Sequence, residues 1–287
     1  MTPVRNAMTV DVEDYFQVQA FAHCIDRSDW DTFPCRVDAN TNRILDQFGA
    51  AGVKATFFTL GWVAARFPAL IRRIVADGHE VASHGWDHTR VDQQEPEAFR
   101  ADIRRTRALL QDTTGVTVNG YRAATFSIGA GNLWAFPILR QEGYTYSSSI
   151  NPIRHDLYGM PDGPRVPFRP ADDGVLEIPM TTVRLFGRNW PCSGGGYFRL
   201  LPTALYRAGL TRVNRHDQQS AVFYFHPWEI DPGQPHIRNA GWKSRLRHYT
   251  NLSRMAEDID DLLRDFAWDR MDRVFAPVLA RADTASG

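Results

Sequence analysis

The chain has 287 residues, and its 33 Lys+Arg are balanced by 33 Asp+Glu, a net charge of zero with histidine neutral. That balance argues against nucleic acid, and against an anionic membrane surface, because such partners are usually met by a basic excess. Hydrophobic residues at 43% and aromatics at 12% exclude a disordered chain and supply a large core.

In chain order, the opening MTPVRNAMTVDVEDYF has no apolar run of signal-peptide length before its acidic cluster. No later run approaches the about 18 apolar residues of a membrane span, so the expectation is a cytoplasmic protein without an integral membrane segment. Cys24, Cys35 and Cys192 form no CxxC pair, which fits free thiols in a reducing compartment, with a Cys24–Cys35 bridge as the alternative. Strand-like runs fall at 8–12, 55–60, 80–84, 118–123, 145–149, 175–183 and 221–226. Between them, 41–50, 68–76, 95–111, 133–141 and 202–214 carry helical spacing, with Pro68 at a helix start and Ile71, Ile74 and Val75 on its buried face. The Pro-, Gly- and Asp-rich stretch 151–174 is long enough to predict a functional rim. Leu246, Tyr249, Leu252, Met255, Ile259, Leu262 and Phe266 then mark one amphipathic C-terminal helix packed on the barrel wall. The alternation predicts an α/β fold, a distorted (β/α)7-type barrel, and a single domain over 1–287 in which 231–287 is a C-terminal extension.

In such folds the side chains at the carboxyl ends of the strands converge on one face. The first strand ends in Asp11-Val12-Glu13-Asp14, and the third runs into Ser83-His84-Gly85-Trp86-Asp87-His88. Two imidazoles at i and i+4 with one carboxylate make a hydrolytic metal site if the segment turns tightly. The fourth strand ends at Arg122, a buried cation that needs an acidic partner, with Asp11 the candidate. The last strand leads into His226-Pro227-Trp228-Glu229, where the proline favours an extended His226 projecting from the strand end.

Taken in order, these segments resemble the polysaccharide deacetylase family, the carbohydrate esterases that share the NodB homology domain. The match runs through Asp11-Val-Glu-Asp14, His84-Gly-Trp-Asp-His88, Arg122-Ala-Ala-Thr-Phe and Phe225-His226, and covers about residues 8 to 230. DVEDYF, SSSINPIRHDLYGMPDGPR, GGGYFRLLP and YFHPWEID also resemble a bacterial subgroup found with exopolysaccharide and protein-sorting systems. The resemblance implies a polysaccharide N-deacetylase, a metal-dependent hydrolase that removes N-acetyl groups from a polysaccharide or lipid-linked glycan. It implies a divalent cation, zinc first with cobalt or nickel as alternatives, on His84, His88 and a carboxylate. By the same resemblance Asp11 is the base, Arg122 its orienting partner, His226 the general acid, and Thr125 supplies an oxyanion-binding N–H.

The sequence departs from the family pattern in several places. Val12 separates the acidic residues, so strand alternation presents Glu13 while a chain already turning presents Asp14; the reading leans to Asp14. Ala124 stands where proline is frequent, and Gly85 where serine or threonine is usual, with Ser83 as a stand-in. Ser147-Ser148-Ser149 occupies the region of the aspartate that pairs with the catalytic histidine, which predicts a lower pKa for His226 unless Asp156 or another acid replaces it. Trp86, Trp190, Tyr197, Phe198 and Trp228 are candidates for stacking on sugar, and Arg154, His155 and Asp156 for substrate contact. Two alternatives are a metal-independent amidohydrolase acting on a small cyclic amide and an inactive glycan-binding module. The His84/His88 pair opposes the first, and the retained Asp11, Arg122 and His226 oppose the second.

Overall fold

The computed structural model describes residues 4–172 and 174–284. Its elements are β1 (Arg5–Val12), α1 (Val37–Ala51), β2 (Thr56–Thr59), α2 (Gly61–Arg66), α3 (Pro68–Ala76), β3 (Glu80–Ser83), α4 (Pro96–Thr114), β4 (Gly120–Tyr121), α5 (Ala135–Gln141), β5 (Tyr146–Ser147) and β6 (Leu176–Glu177). They continue with β7 (Thr182–Leu185), β8 (Arg188–Pro191), α6 (Gly195–Leu200), α7 (Thr203–Arg215), β9 (Val222–Phe225), α8 (Trp242–Tyr249), α9 (Leu252–Asp265), β10 (Ala267–Asp269), α10 (Met271–Val274) and α11 (Ala276–Thr284). All seven expected strand runs contain a strand of the main sheet. Among the described residues, no helix is long and apolar enough to cross a membrane.

The main sheet is parallel, and β1 lies near its centre. β9 flanks one side of β1, while β2 and β10 share the other, and β3 to β6 follow outward from β2. The sheet curls into a half-barrel with helices outside, as the alternation predicts. No ladder joins β6 to β9 among the described residues. The seam is closed by single contacts: Val222 N–H donates to Thr181 Oγ1 at 2.7 Å, and Tyr224 N–H to Ser193 O at 2.8 Å.

Alternation along β1 assigns its two faces. Met8, Val10 and Val12 pack under the helices with Ile44, Phe48, Phe57 and Phe225. Ala7 faces the barrel interior with Phe58, Ala82, Tyr146 and Tyr224. The register then levels the strand ends: Val12 pairs Thr59, Thr59 pairs Ser83, Ser83 pairs Tyr121, and Val10 pairs Phe225. The residues just past these ends, Glu13, His84, Arg122 and His226, therefore lie along one edge.

Two elements differ from expectation. The run 175–183 is not one strand: after Pro179 the chain leaves the sheet, and β7 forms an antiparallel hairpin with β8. The predicted C-terminal helix breaks between α8 and α9, where Asn251 has φ 56°. The Arg199 guanidinium donates to His248 O and Arg247 O at 3.1 and 3.3 Å, and also to Thr250 O, satisfying carbonyls the break leaves open. β10, three residues beside β1, carries too short a pattern to be read from sequence.

Candidate metal and acid–base site

Glu13, His84 and His88 are buried, and each offers a ligand atom within 4.8 Å of the others. The loop 84–88 achieves this with left-handed conformations at Gly85 (φ 75°) and His88 (φ 59°). At Gly85 a Cβ would also meet Asp102 Oδ2 at 3.0 Å, and that carboxyl already accepts from Trp86 N–H. The glycine is therefore required by backbone conformation and crowding. Ser83 Oγ accepts a long 3.4 Å bond from Gly85 N–H.

His84 Nδ1 lies 2.9 Å from Arg122 O; as the donor of that bond, it leaves the Nε2 lone pair for the cluster. His88 Nε2 stands 2.9 Å from Glu13 Oε2, yet that buried oxygen has no partner in hydrogen-bond alignment. Electron-pair donors facing one point, one of them buried and unsatisfied, fit a cation with nitrogen and oxygen ligands. Burial alone would raise the Glu13 pKa, but His88, His226 and His84 together hold it down at about 2.

The structure corrects the leaning to Asp14. Alternation persists one residue past β1, so Asp14 turns outward under the helices. There its carboxylate accepts from Arg36 N–H at 2.6 Å and Val37 N–H at 2.9 Å, capping α1, and from Tyr15 N–H at 2.9 Å. Asp14 is not among the residues that cluster with the histidines.

Asp11 pairs with Arg122 as expected, Nη1 to Oδ1 at 2.5 Å, with both side chains essentially buried. Arg122 also donates to Thr9 Oγ1 at 2.8 Å, to Ser148 O at 3.1 Å and to Ser148 Oγ at 3.2 Å. Ser149 Oγ accepts from Ala123 N–H. The serine triplet thus holds the arginine loop in place, and Ser149 N–H and Ile150 N–H are held in turn by buried Glu177.

His226 has an acid partner that the sequence reading missed. Its Nδ1 is 2.8 Å from Glu229 Oε1, across one 3-10 turn begun by Pro227. The other Glu229 oxygen takes Arg199 Nε at 2.7 Å. Burial would lower the His226 pKa, but Glu13 and Glu229 outweigh it and lift it to about 9, so Glu229, not Asp156, is the acid that replaces the missing aspartate. Asp156 instead pairs with His155 and Arg247. The signals available in sequence were the i, i+3 spacing of His226 and Glu229 and the GGG run. A Cβ on Gly195 would lie 2.5 Å from Glu229 Oε1, so glycine makes room for the carboxylate. His226 keeps 19% of its side chain accessible, and its Nε2 faces Glu13 Oε1 at 3.5 Å.

Thr125 has φ 55° and a buried hydroxyl without a partner beside the Arg122 loop. Trp228 is not an open stacking platform: it is buried, layered between His226 at 5.2 Å and His248 at 4.0 Å between ring centroids. Phe198 is core, and the Trp86 ring is covered by Arg105 at 3.1 Å. His155 stacks on Tyr158 at 4.1 Å in the long loop and is not part of the metal cluster. Trp190 and Tyr197 line a separate groove. All three cysteines are free.

The likeness to known proteins runs through the same segments. Residues 28–146 match the polysaccharide deacetylase family model, and residues 148–276 match a domain of unknown function, DUF3473. His84, His88 and Arg122 lie in the first stretch, His226 and Glu229 in the second, and Asp11 and Glu13 before both. A peptidoglycan-N-acetylglucosamine deacetylase of Listeria monocytogenes is 37% identical over 75 residues, 26% of this chain and 16% of that protein. A chitooligosaccharide deacetylase of Rhizobium leguminosarum bv. trifolii is 28% identical over 145 residues, 50% of this chain and 60% of the relative. The chain thus spans less than two thirds of the length of either relative. A solved Mycobacterium smegmatis protein assigned as a polysaccharide deacetylase superposes with a TM-score of 0.61 at 17% identity, covering 98% of this chain and 94% of that one. At that identity the likeness shows the fold.

Proposed function

We propose that this chain, whose residues 28–146 match the polysaccharide deacetylase family model, is a divalent-metal-dependent hydrolase removing N-acetyl groups from amino sugars of a polysaccharide or lipid-linked glycan. The reaction cleaves a carbon–nitrogen amide bond that is not a peptide bond. The observation that carries the reading is the meeting of Glu13, His84 and His88 at one strand-end edge with the Asp11–Arg122 and His226–Glu229 pairs.

A divalent cation held by Glu13, His84 and His88 would polarise the acetamide carbonyl and acidify a water; zinc is the first candidate, and the donor set also accepts cobalt or nickel. Asp11, held by Arg122, takes the proton of the attacking water. The Thr125 N–H would supply a hydrogen-bond donor to the developing oxyanion. His226 gives its Nε2 proton to the departing amine, which would otherwise leave as an amide anion. Glu229 keeps the His226 Nδ1–H oriented and favours the protonated ring that an acid needs. Residues 1–287 are taken as one deacetylase unit with 231–287 as an extension; support comes from β10 pairing with β1 and from Arg199 linking Glu229 to the end of α8. The three free thiols support a reducing, cytoplasmic setting.

The test is elemental analysis of the purified protein, then acetate release from chitooligosaccharides before and after chelation. Bound metal with chelator-sensitive release upholds the proposal. Turnover indifferent to chelation favours the metal-independent amidohydrolase, and glycan binding without release favours the inactive module.

A further inference from the structure

Away from the strand-end site, the β7–β8 hairpin, the loop 152–165 and α7 enclose a groove of about 1350 Å3. Arg154, Arg165, Arg184, Arg188 and Arg212 line it, against one carboxylate, Asp162, among the described residues. Arg165 is committed to Asp217. Among the described residues, Arg154, Arg184 and Arg188 are exposed without an ion pair, and Arg212 has a buried Nε with no hydrogen-bond partner. Leu185, Trp190, Leu201 and Leu205 share the lining and are exposed.

The hairpin tip is a second, independent observation. Leu185 pairs with Arg188, so Phe186 and Gly187 form a two-residue turn with φ 50° and 74°. Such turns favour Asn-Gly, because a bulky side chain is strained in the left-handed region. Here that position holds a phenylalanine that is 99% exposed. A local rule is broken, and nothing in the fold gains from it.

We propose that this hairpin and groove dock onto an anionic phospholipid surface, with Phe186 and Leu185 entering the acyl boundary and the unpaired arginines meeting headgroup phosphates. Stable attachment to a membrane surface takes two signals, apolar insertion and basic charge, and both coincide here. An acidic glycan would explain the arginines, but it gives no use to a phenylalanine with no neighbour at a turn. The zero net charge of the chain does not oppose this, since attraction within a Debye length depends on the local patch.

The experiment is co-sedimentation of the full chain with phosphatidylcholine vesicles, with or without phosphatidylglycerol. Binding is expected with phosphatidylglycerol, weakening as salt rises. Phe186→Ser should lower partitioning by about tenfold or more, from the lost burial of one aromatic side chain. The double variant Arg184→Glu/Arg188→Glu should remove the preference for phosphatidylglycerol. Unchanged thermal unfolding of each variant confirms its fold, and vesicle binding is read without reference to deacetylation. The proposal is overturned if anionic vesicles bind no better than neutral ones, or if Phe186→Ser binds like the parent. It is also overturned if polygalacturonate binds the groove equally well in both while vesicles do not.

Discussion

The strand-end site and the hairpin groove differ in how they hold charge. At the first, Arg122 faces Asp11, Arg199 faces Glu229, and His84 and His88 face Glu13, all in a buried interior. At the second, arginines stand unpaired beside exposed leucines and a solvent-facing phenylalanine. Buried charges must be matched, so the first region is rigid and its chemistry can be read from its partners. The exposed arginines pay little for being unmatched, so the second region is informative through what it leaves open.

The largest effect expected from breaking the first region is on activity. Asp11→Asn or His226→Ala should each lower acetate release by about 10²–10⁴-fold with metal content unchanged. Glu13→Gln should release the metal, measured by elemental analysis after dialysis. Next, Glu229→Ala would leave Arg199 buried and unpaired, at a cost of about 3–5 kcal/mol in denaturant unfolding. It should also shift the alkaline limb of the pH–rate profile downward, since His226 must be protonated to act as the acid and loses one of the charges that raise its pKa.

A pH effect comes from the layer beneath. His248, stacked on Trp228, is lowered from 6.5 to about 3, mainly by burial and then by Arg199. The native state keeps the ring neutral while the unfolded chain protonates it below 6.5. Stability should therefore fall as pH drops from 6.5 towards 3, by at most about 1.4 kcal/mol per pH unit from this group. His248→Asn should flatten that slope in urea melts at stepped pH.

A smaller effect separates the two neighbouring carboxylates. Asp14→Ala should cost about 1–2 kcal/mol through uncapping of α1 while the protein keeps its metal, the reverse of Glu13→Gln. Smallest of all, Phe186→Asn should stabilise the hairpin by about 1 kcal/mol, because asparagine tolerates the left-handed turn better. A gain in melting temperature together with a loss of vesicle binding would sharpen the contrast between the regions.

Much of this was legible in the chain. The seven strand runs, Pro68 at the start of α3 and the pairing of Asp11 with Arg122 follow from periodicity and from the need of a buried cation for an anion. The Asp14 reading failed because period-2 alternation continued past the last ladder residue, and only the position of α1 showed which carboxylate had another use. Family position points to Ser147–Ser149 for the partner of His226, while the acid that pairs with it stands three residues ahead at Glu229. Trp228 is one of five aromatic candidates for stacking, and only packing shows that it is buried, because aromatic content does not reveal exposure.

The sequence by itself determined the element order, the strand-end placement of the polar motifs and the residue types able to bind a cation and move protons. Those depend on local spacing, which the chain carries explicitly. Tertiary structure alone decided that Glu13 faces the histidines, that Arg199 and Glu229 stand behind His226, and that Phe186 has no neighbour. Each of these is a contact, or the lack of one, between segments far apart in the chain, set by register and packing rather than by any local pattern.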